Sequence, residues 1–146
     1  MNPEKIIKFW FEEVAPEKKF VKDPKFDALI LEKFEEVYWE VFNGKTEDWR
    51  ETPEGRLAEI IVLDQFARNM FRGTPQAFAG DKLALQLAED AIAAGADKEL
   101  NEEQRMFLYL PYMHSESLDV HEQAMDIFKS LDNEDILGYE IKHKKI

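Results

Sequence analysis

Residues 60–73 read IIVLDQFARNMFRG. At the helical rotation of about 100° per residue, Leu57, Ile60, Ile61, Asp64, Arg68 and Phe71 share one arc about 100° wide, with Arg72 at its edge. The stretch reads as a core-facing helix that carries an acid and a base inside its apolar stripe. Asp64 and Arg68 stand at i and i+4 with the acid first, the favourable order for a helical ion pair. A buried pair of that kind seldom stabilises more than apolar residues of similar size would. Two readings follow. The charges are a structural pair, or Asp64 orients Arg68 beside Gln65, Asn69 and Arg72 in a polar cleft. Guanidinium forks suit carboxylates and phosphates. Arg68 and Arg72, also four residues apart, repel by a few tenths of a kcal/mol. An acidic group between them, from the protein or from a ligand, would remove that penalty.

Outward from this helix the chain reads as helical almost everywhere, with no convincing strand. Asn2-Pro3 and Asp23-Pro24 are caps followed by proline in the first turn. The first helix fades by Pro16, and the second runs to about Phe42 and stops at Asn43-Gly44. The third starts at Thr52-Pro53-Glu54 and ends at Gly73. The fourth spans roughly Asp81 to Ala94, closed by Gly95. The fifth opens on Asn101-Glu102-Glu103-Gln104, close to a capping box, and Pro111 should kink or end it. A sixth is expected over roughly Ser117 to Leu131 and a seventh from near Asn133. Asp23 and Asp81 read as caps, and Asp27 as a residue that complements the helix dipole. About seven helices joined by short connections imply an all-α domain of antiparallel hairpins. No 34-residue repeat is visible in the sequence itself.

The composition narrows the function. The 146 residues suit a single domain over 1–146, and 45% hydrophobic content suffices for a core. A formal net charge of −12 argues against nucleic acid or an anionic membrane as partner. The absence of cysteine excludes thiol catalysis and thiolate metal sites. No signal peptide and no apolar run of about 20 residues is present, so a cytoplasmic protein is expected.

The segments FWFEEVAPEKKFVKDPKFDALILEKF, IIVLDQFARNMFRGTPQAFAGD and RMFLYLPYMHSESLDVHEQ resemble a bacterial family of unknown function, number 924 among domains of unknown function. Asp-Gln-Phe-x-Arg-Asn-x-Phe-Arg (64–72) and Tyr-Leu-Pro-x-Met-His-Ser-Glu (109–116) carry the likeness. The resemblance implies a tetratricopeptide-like superhelix of helical hairpins and brings no activity. Family members continue past the region of His143 into Arg-Phe-Gly-x-Phe-Pro-His-Arg-Asn, whereas this sequence stops at Ile146, shortened or truncated relative to them. His121 stands where the family pattern has Gln, which lowers its weight as a functional residue.

The other chemically capable stretch is Met113-His114-Ser115-Glu116. It reads either as a helix end with a capping serine or as a turn aimed into a cleft. A Ser-His-Glu triad is not expected from adjacent residues without a nucleophile elbow. His114, Glu116, His121 and Glu122 lack the helical His-Glu-x-x-His metal signature, so no metal and no cofactor are expected. Most aromatic residues belong to the core, with Trp10 and Tyr112 as candidate pocket walls.

The leading expectation is a binding module for a small anionic molecule or an acidic peptide. Its site residues are Asp64, Gln65, Arg68, Asn69, Arg72, His114, Glu116 and Trp10. One alternative is a hydrolase or transferase with His114 or Glu116 as general acid/base and Arg68 as electrostatic clamp. Another is a protein-interaction scaffold. Nothing selects an oligomeric state.

Overall fold

The computed structural model describes residues 2–19 and 21–114. These residues form five helices. Helix α1 (Pro3–Lys8) runs on as a π-helical turn, Phe9–Glu13. Helix α2 is Pro24–Phe42. Helix α3 begins as Pro53–Ile61, widens into a π-helical turn at Val62–Phe66 and returns to regular α geometry at Ala67–Met70. Helices α4 (Asp81–Ala93) and α5 (Glu102–His114) follow. Short 3-10 turns occupy Pro16–Lys18, Glu47–Glu51, Pro75–Phe78 and Ala96–Glu99.

The helix starts obey local chemistry. Asn2 Oδ1 accepts from the Lys5 amide at 3.0 Å. Asp23 Oδ1 accepts from the amides of Lys25 and Phe26 at 3.0 and 3.4 Å. Thr52 Oγ1 takes the Gly55 amide at 3.0 Å. Asn101 and Gln104 bond each other's amides reciprocally, at 2.8 and 3.2 Å, which closes the capping box. Gly44 and Gly95 both sit at φ 76°, the left-handed geometry that ends a helix at little steric cost.

Pro111 lies inside α5, which is described as far as His114, so of the two expected effects the helix does not stop at the proline. Proline removes one intrahelical bond, but Phe107, Leu108, Leu110, Tyr112 and Met113 are all buried around it and hold the helix together. Asp81 is not a cap: Gly80 holds that position with no side-chain bond, and Asp81 opens the helix. Helix α3 faces the core, as its stripe implies, and is buried on its other sides as well. From Leu57 to Ala67 every residue is buried, because α1, α2, α4 and α5 all pack on this helix. An amphipathic stripe belongs to a helix with a solvent face, and this segment has none. All-α architecture stands; the expected sixth and seventh helices lie outside the described residues.

Phe66, fully buried on α3, organises the core. Its ring stacks on Phe34 at 4.5 Å and meets Phe9 and Trp10 edge-on at 5.9 and 5.7 Å. Trp10 in turn meets Phe107 at 5.6 Å. These rings tie α1, α2 and α5 to α3, and geometries of this kind add about 0.5–1.5 kcal/mol per pair beyond burial. Nearer its start, α3 buries Glu59, 1% exposed. That carboxylate accepts from Arg50 Nε at 3.0 Å, Arg50 Nη2 at 3.3 Å and Thr46 Oγ1 at 2.8 Å, fastening the Glu47–Glu51 turn to the helix.

Two glycines make a contrasting pair. A Cβ on Gly55 would overlap the carbonyl oxygen of Trp49, whereas a Cβ on Gly44 meets nothing within 4 Å. Gly55→Ala should therefore destabilise the chain by about 3 kcal/mol or more through overpacking against backbone. Gly44→Ala should lose only about 1–2 kcal/mol, for the left-handed φ. Urea denaturation of both variants checks the order.

Candidate functional site

The π-helical turn of α3 presents Asp64, whose side chain is 1% exposed. A bare carboxylate in such a place would be prohibitive, so its bonds must be accounted for one by one. Oδ1 meets His114 Nδ1, from the end of α5, at 2.7 Å, and accepts from Arg68 Nη1 at 3.2 Å. Oδ2 accepts from Gln65 Nε2 at 2.7 Å. Arg68 Nη1 also bonds the Asp64 carbonyl at 2.7 Å. The same guanidinium reaches α4, where its two outer nitrogens bond the two oxygens of Asp81 at 3.2 and 3.1 Å. One network thus joins α3, α4 and α5.

Asn69 and Arg72 form a second cluster on α2. Asp27 Oδ1 accepts from Asn69 Nδ2 at 2.8 Å and from Arg72 Nη2 at 3.2 Å, and Oδ2 accepts from Arg72 Nε at 2.7 Å. The acidic groups that the two arginines call for are therefore internal: Asp64 and Asp81 for Arg68, and Asp27 for Arg72. Sequence reasoning missed Asp27 and Asp81 because both sit in the first turn of a helix, where an acid already has a local explanation. The unfavourable Arg68–Arg72 spacing was the signal that acids had to be found.

The expected set is thus divided. Asp64, Gln65, Arg68 and His114 come together, whereas Asn69 and Arg72 turn to Asp27. Trp10 is fully buried in the aromatic core, against Phe66 and Phe107. Glu116 lies outside the described residues, as do Ser115, His121 and Glu122. Tyr112 is buried, and that burial, with Glu89 and Asp97 nearby, pushes its phenol up to about 12. It is a neutral group at physiological pH. Among the described residues no group of three or more His, Cys, Asp or Glu side chains could hold a metal ion. No helix there is long and apolar enough to cross a membrane.

The two carboxylates of the network are driven apart. Burial disfavours an ionised Asp64, but the charge and hydrogen bond of His114, the charge of Arg68 and the Gln65 bond outweigh it and hold the carboxyl below its ordinary 3.8. For Asp81 burial prevails, Arg68 offsets it only in part, and the group lies above 3.8. Neighbouring acids displaced in opposite directions are frequent at sites that handle protons, although structural networks do the same.

Residues 6–146 match the model of a family described as bacterial protein of unknown function, DUF924. The chain belongs to this family. A solved structure of a protein of unknown function from Agrobacterium tumefaciens is similar over 97% of this chain and 80% of that one, with 34% identity and a TM-score of 0.91. No curated protein matches the chain.

Asp64→Asn removes the buried charge that answers His114 and part of Arg68, whose bonds to Asp81 remain, so it should destabilise by about 3 kcal/mol at neutral pH. The lowered carboxyl stabilises the fold fully above pH 3.8 and ceases to do so as pH falls through its folded value. The gap between wild type and Asp64→Asn should therefore close in strong acid. Asp81 has the opposite sign: its ionisation opposes folding as pH rises from 3.8 through its raised value. Asp81→Asn should stay within about 1 kcal/mol of wild type at neutral pH. Denaturation curves across acid and neutral pH compare the two.

Proposed function

We propose that Asp64, Gln65, Arg68 and His114 form one wall of a small-molecule site, and that the chain is an enzyme in which His114 moves a proton. The observation that carries this reading is the contact of the imidazole with a buried acid. Nδ1 lies 2.7 Å from a carboxylate that is 1% exposed, while Nε2 has no hydrogen-bond partner among the described residues. An ionised carboxylate can only accept, so the Nδ1 of neutral His114 carries the proton and Nε2 keeps its lone pair. A buried acid that fixes tautomer and ring orientation in this way is how proteins prepare a histidine as general base. The His114 side chain is 17% exposed, which leaves Nε2 a route to a ligand. A base so placed suits deprotonation of water or of a substrate hydroxyl, the step shared by hydrolases and by transferases to hydroxyl acceptors.

The same geometry lowers the weight of the anionic-ligand reading. Both guanidiniums are already engaged by protein carboxylates, and three acids (Asp27, Asp64, Asp81) face two arginines. An anion or an acidic peptide end gains attraction there only once His114 is protonated. Arg68 acts as a positioning residue for Asp64 and not as a free clamp. A cytoplasmic location, a single domain over 1–146 and continuation of the hairpin pattern into a tetratricopeptide-like superhelix are carried as part of this proposal. The family match over residues 6–146 supports the single domain.

The test is the tautomer of His114, read from two-bond proton–nitrogen correlations of the imidazole rings at a pH where they are neutral. Wild type should show Nδ1–H at His114, and Asp64→Asn should shift the population toward Nε2–H. An Nε2–H imidazole at His114 in the wild-type protein would remove the base and sink the reading.

A further inference from the structure

Phe78 is 60% exposed, more than any other large apolar side chain of the described residues. It does not hang from a loose loop. It ends the Pro75–Phe78 turn, which is pinned from several sides. Thr74 Oγ1 donates to the Phe71 carbonyl at 2.7 Å, and the Ala77 and Ala79 amides bond the carbonyls of Thr74 and Gln76 at 3.1 and 3.2 Å. Gln76 Nε2 donates to the hydroxyl of the buried Tyr38 at 2.8 Å, and Ala77 is 2% exposed. The chain therefore builds a rigid mount and uses it to hold a phenyl ring in solvent.

The position of the ring is informative. The guanidinium carbon of Arg68 lies 5.4 Å from its centroid, a cation–π contact. That guanidinium also bonds Asp64, the acid that holds His114. One cation thus couples an exposed aromatic surface to the dyad. A phenyl ring has two faces, and at 60% exposure much of its surface remains open. Fixed aromatic surface beside a polar cluster suits a flat ligand ring, because every planar π-system can stack on it while its edge hydrogen-bonds elsewhere. The acids around the cluster disfavour an anionic ring.

We infer that Phe78 is a stacking wall of the His114 site and that the ligand carries a neutral, planar nitrogen heterocycle whose polar edge or attached hydroxyl meets His114 Nε2. This inference rests on reading the Asp64–His114 cluster as a site. It names a ligand class that the dyad alone does not.

The experiment uses the whole chain with labelled Phe and His side chains and four probes: adenosine, uridine, nicotinamide, and cyclohexanecarboxamide as a neutral saturated counterpart of nicotinamide. At least one planar probe should shift the Phe78 and His114 ring signals together, with the cyclohexane far weaker. Phe78→Leu, which keeps an apolar side chain but removes the π-face, should weaken that probe roughly ten-fold. If no planar probe moves both rings, if the saturated probe binds as well as nicotinamide, or if Phe78→Leu binds unchanged, the inference falls. The outcomes separate it from the proton-transfer reading. Planar binding with an Nε2–H His114 keeps the stacking site and removes the base. An Nδ1–H His114 without planar binding keeps the base and removes the stacking wall.

Discussion

A negative charge at the centre of the helical cluster is the constraint around which much of this protein is arranged. Asp64 sits on a helix with neighbours on every side, where water cannot solvate it. Three side chains and an acid beyond them answer that charge. Gln65 and Arg68 come from the same helix, His114 from α5, and Asp81 completes Arg68 from α4. A network of this kind specifies which helices meet and in what register, because a slip of one residue would leave a buried ion without a partner. The aromatic contacts of Phe66, two positions further along α3 than Asp64, supply the apolar adhesion to α1 and α2. The same short stretch of chain thus carries both the glue and the polar lock.

Local features were readable from the sequence because their causes are local. Asn2, Asp23, Thr52 and Asn101 each mark a helix start with a residue whose oxygen reaches an amide two or three positions on. The Asp64–Arg68 pair was visible for the same reason, being one helical turn long. What could not be read were partnerships across the fold. His114 lies 50 residues from Asp64, and Asp27 lies 45 from Arg72. Nothing in the spacing of either pair fixes the distance in space. Glu59 went unnoticed because an acid on a helix ordinarily faces solvent. Only the packing of the 47–51 turn makes it interior. The helical wheel placed Asp64 in a core-facing stripe, but enclosure of the helix by four others shows only in the packing.

The clusters at the two sides of α3 differ in what they leave available. At Asp27 every polar group described is matched: two donors from Arg72 and one from Asn69 meet the two oxygens, and the pair sits toward the surface. It reads as a latch between α2 and α3. At His114 one ring nitrogen has no partner among the described residues, and Arg68, which shares Asp64 with it, also lies over the displayed ring of Phe78. Saturated polar groups hold a structure together, and an unsaturated one has capacity to spare for a second molecule. On the proposed reading, that difference separates the latch from the site better than charge or burial does.

The π-helical turn at Val62–Phe66 has a consequence for how this helix can vary. A π turn holds more residues per rotation than an α turn, so the helix beyond it is out of phase with the helix before it by one position. Loss of a single residue from the turn would leave a perfectly regular helix with every cap and most apolar contacts of Pro53–Ile61 intact. Yet Arg68, Asn69 and Arg72 would each swing by about 100° around the axis, away from Asp81 and Asp27. The widened turn is a phase adjuster: it lets one continuous rod serve the core in its first half and aim its charges at two different neighbours in its second. Changes of length here, unlike changes of residue, would leave the backbone content of the fold untouched while dismantling both clusters at once.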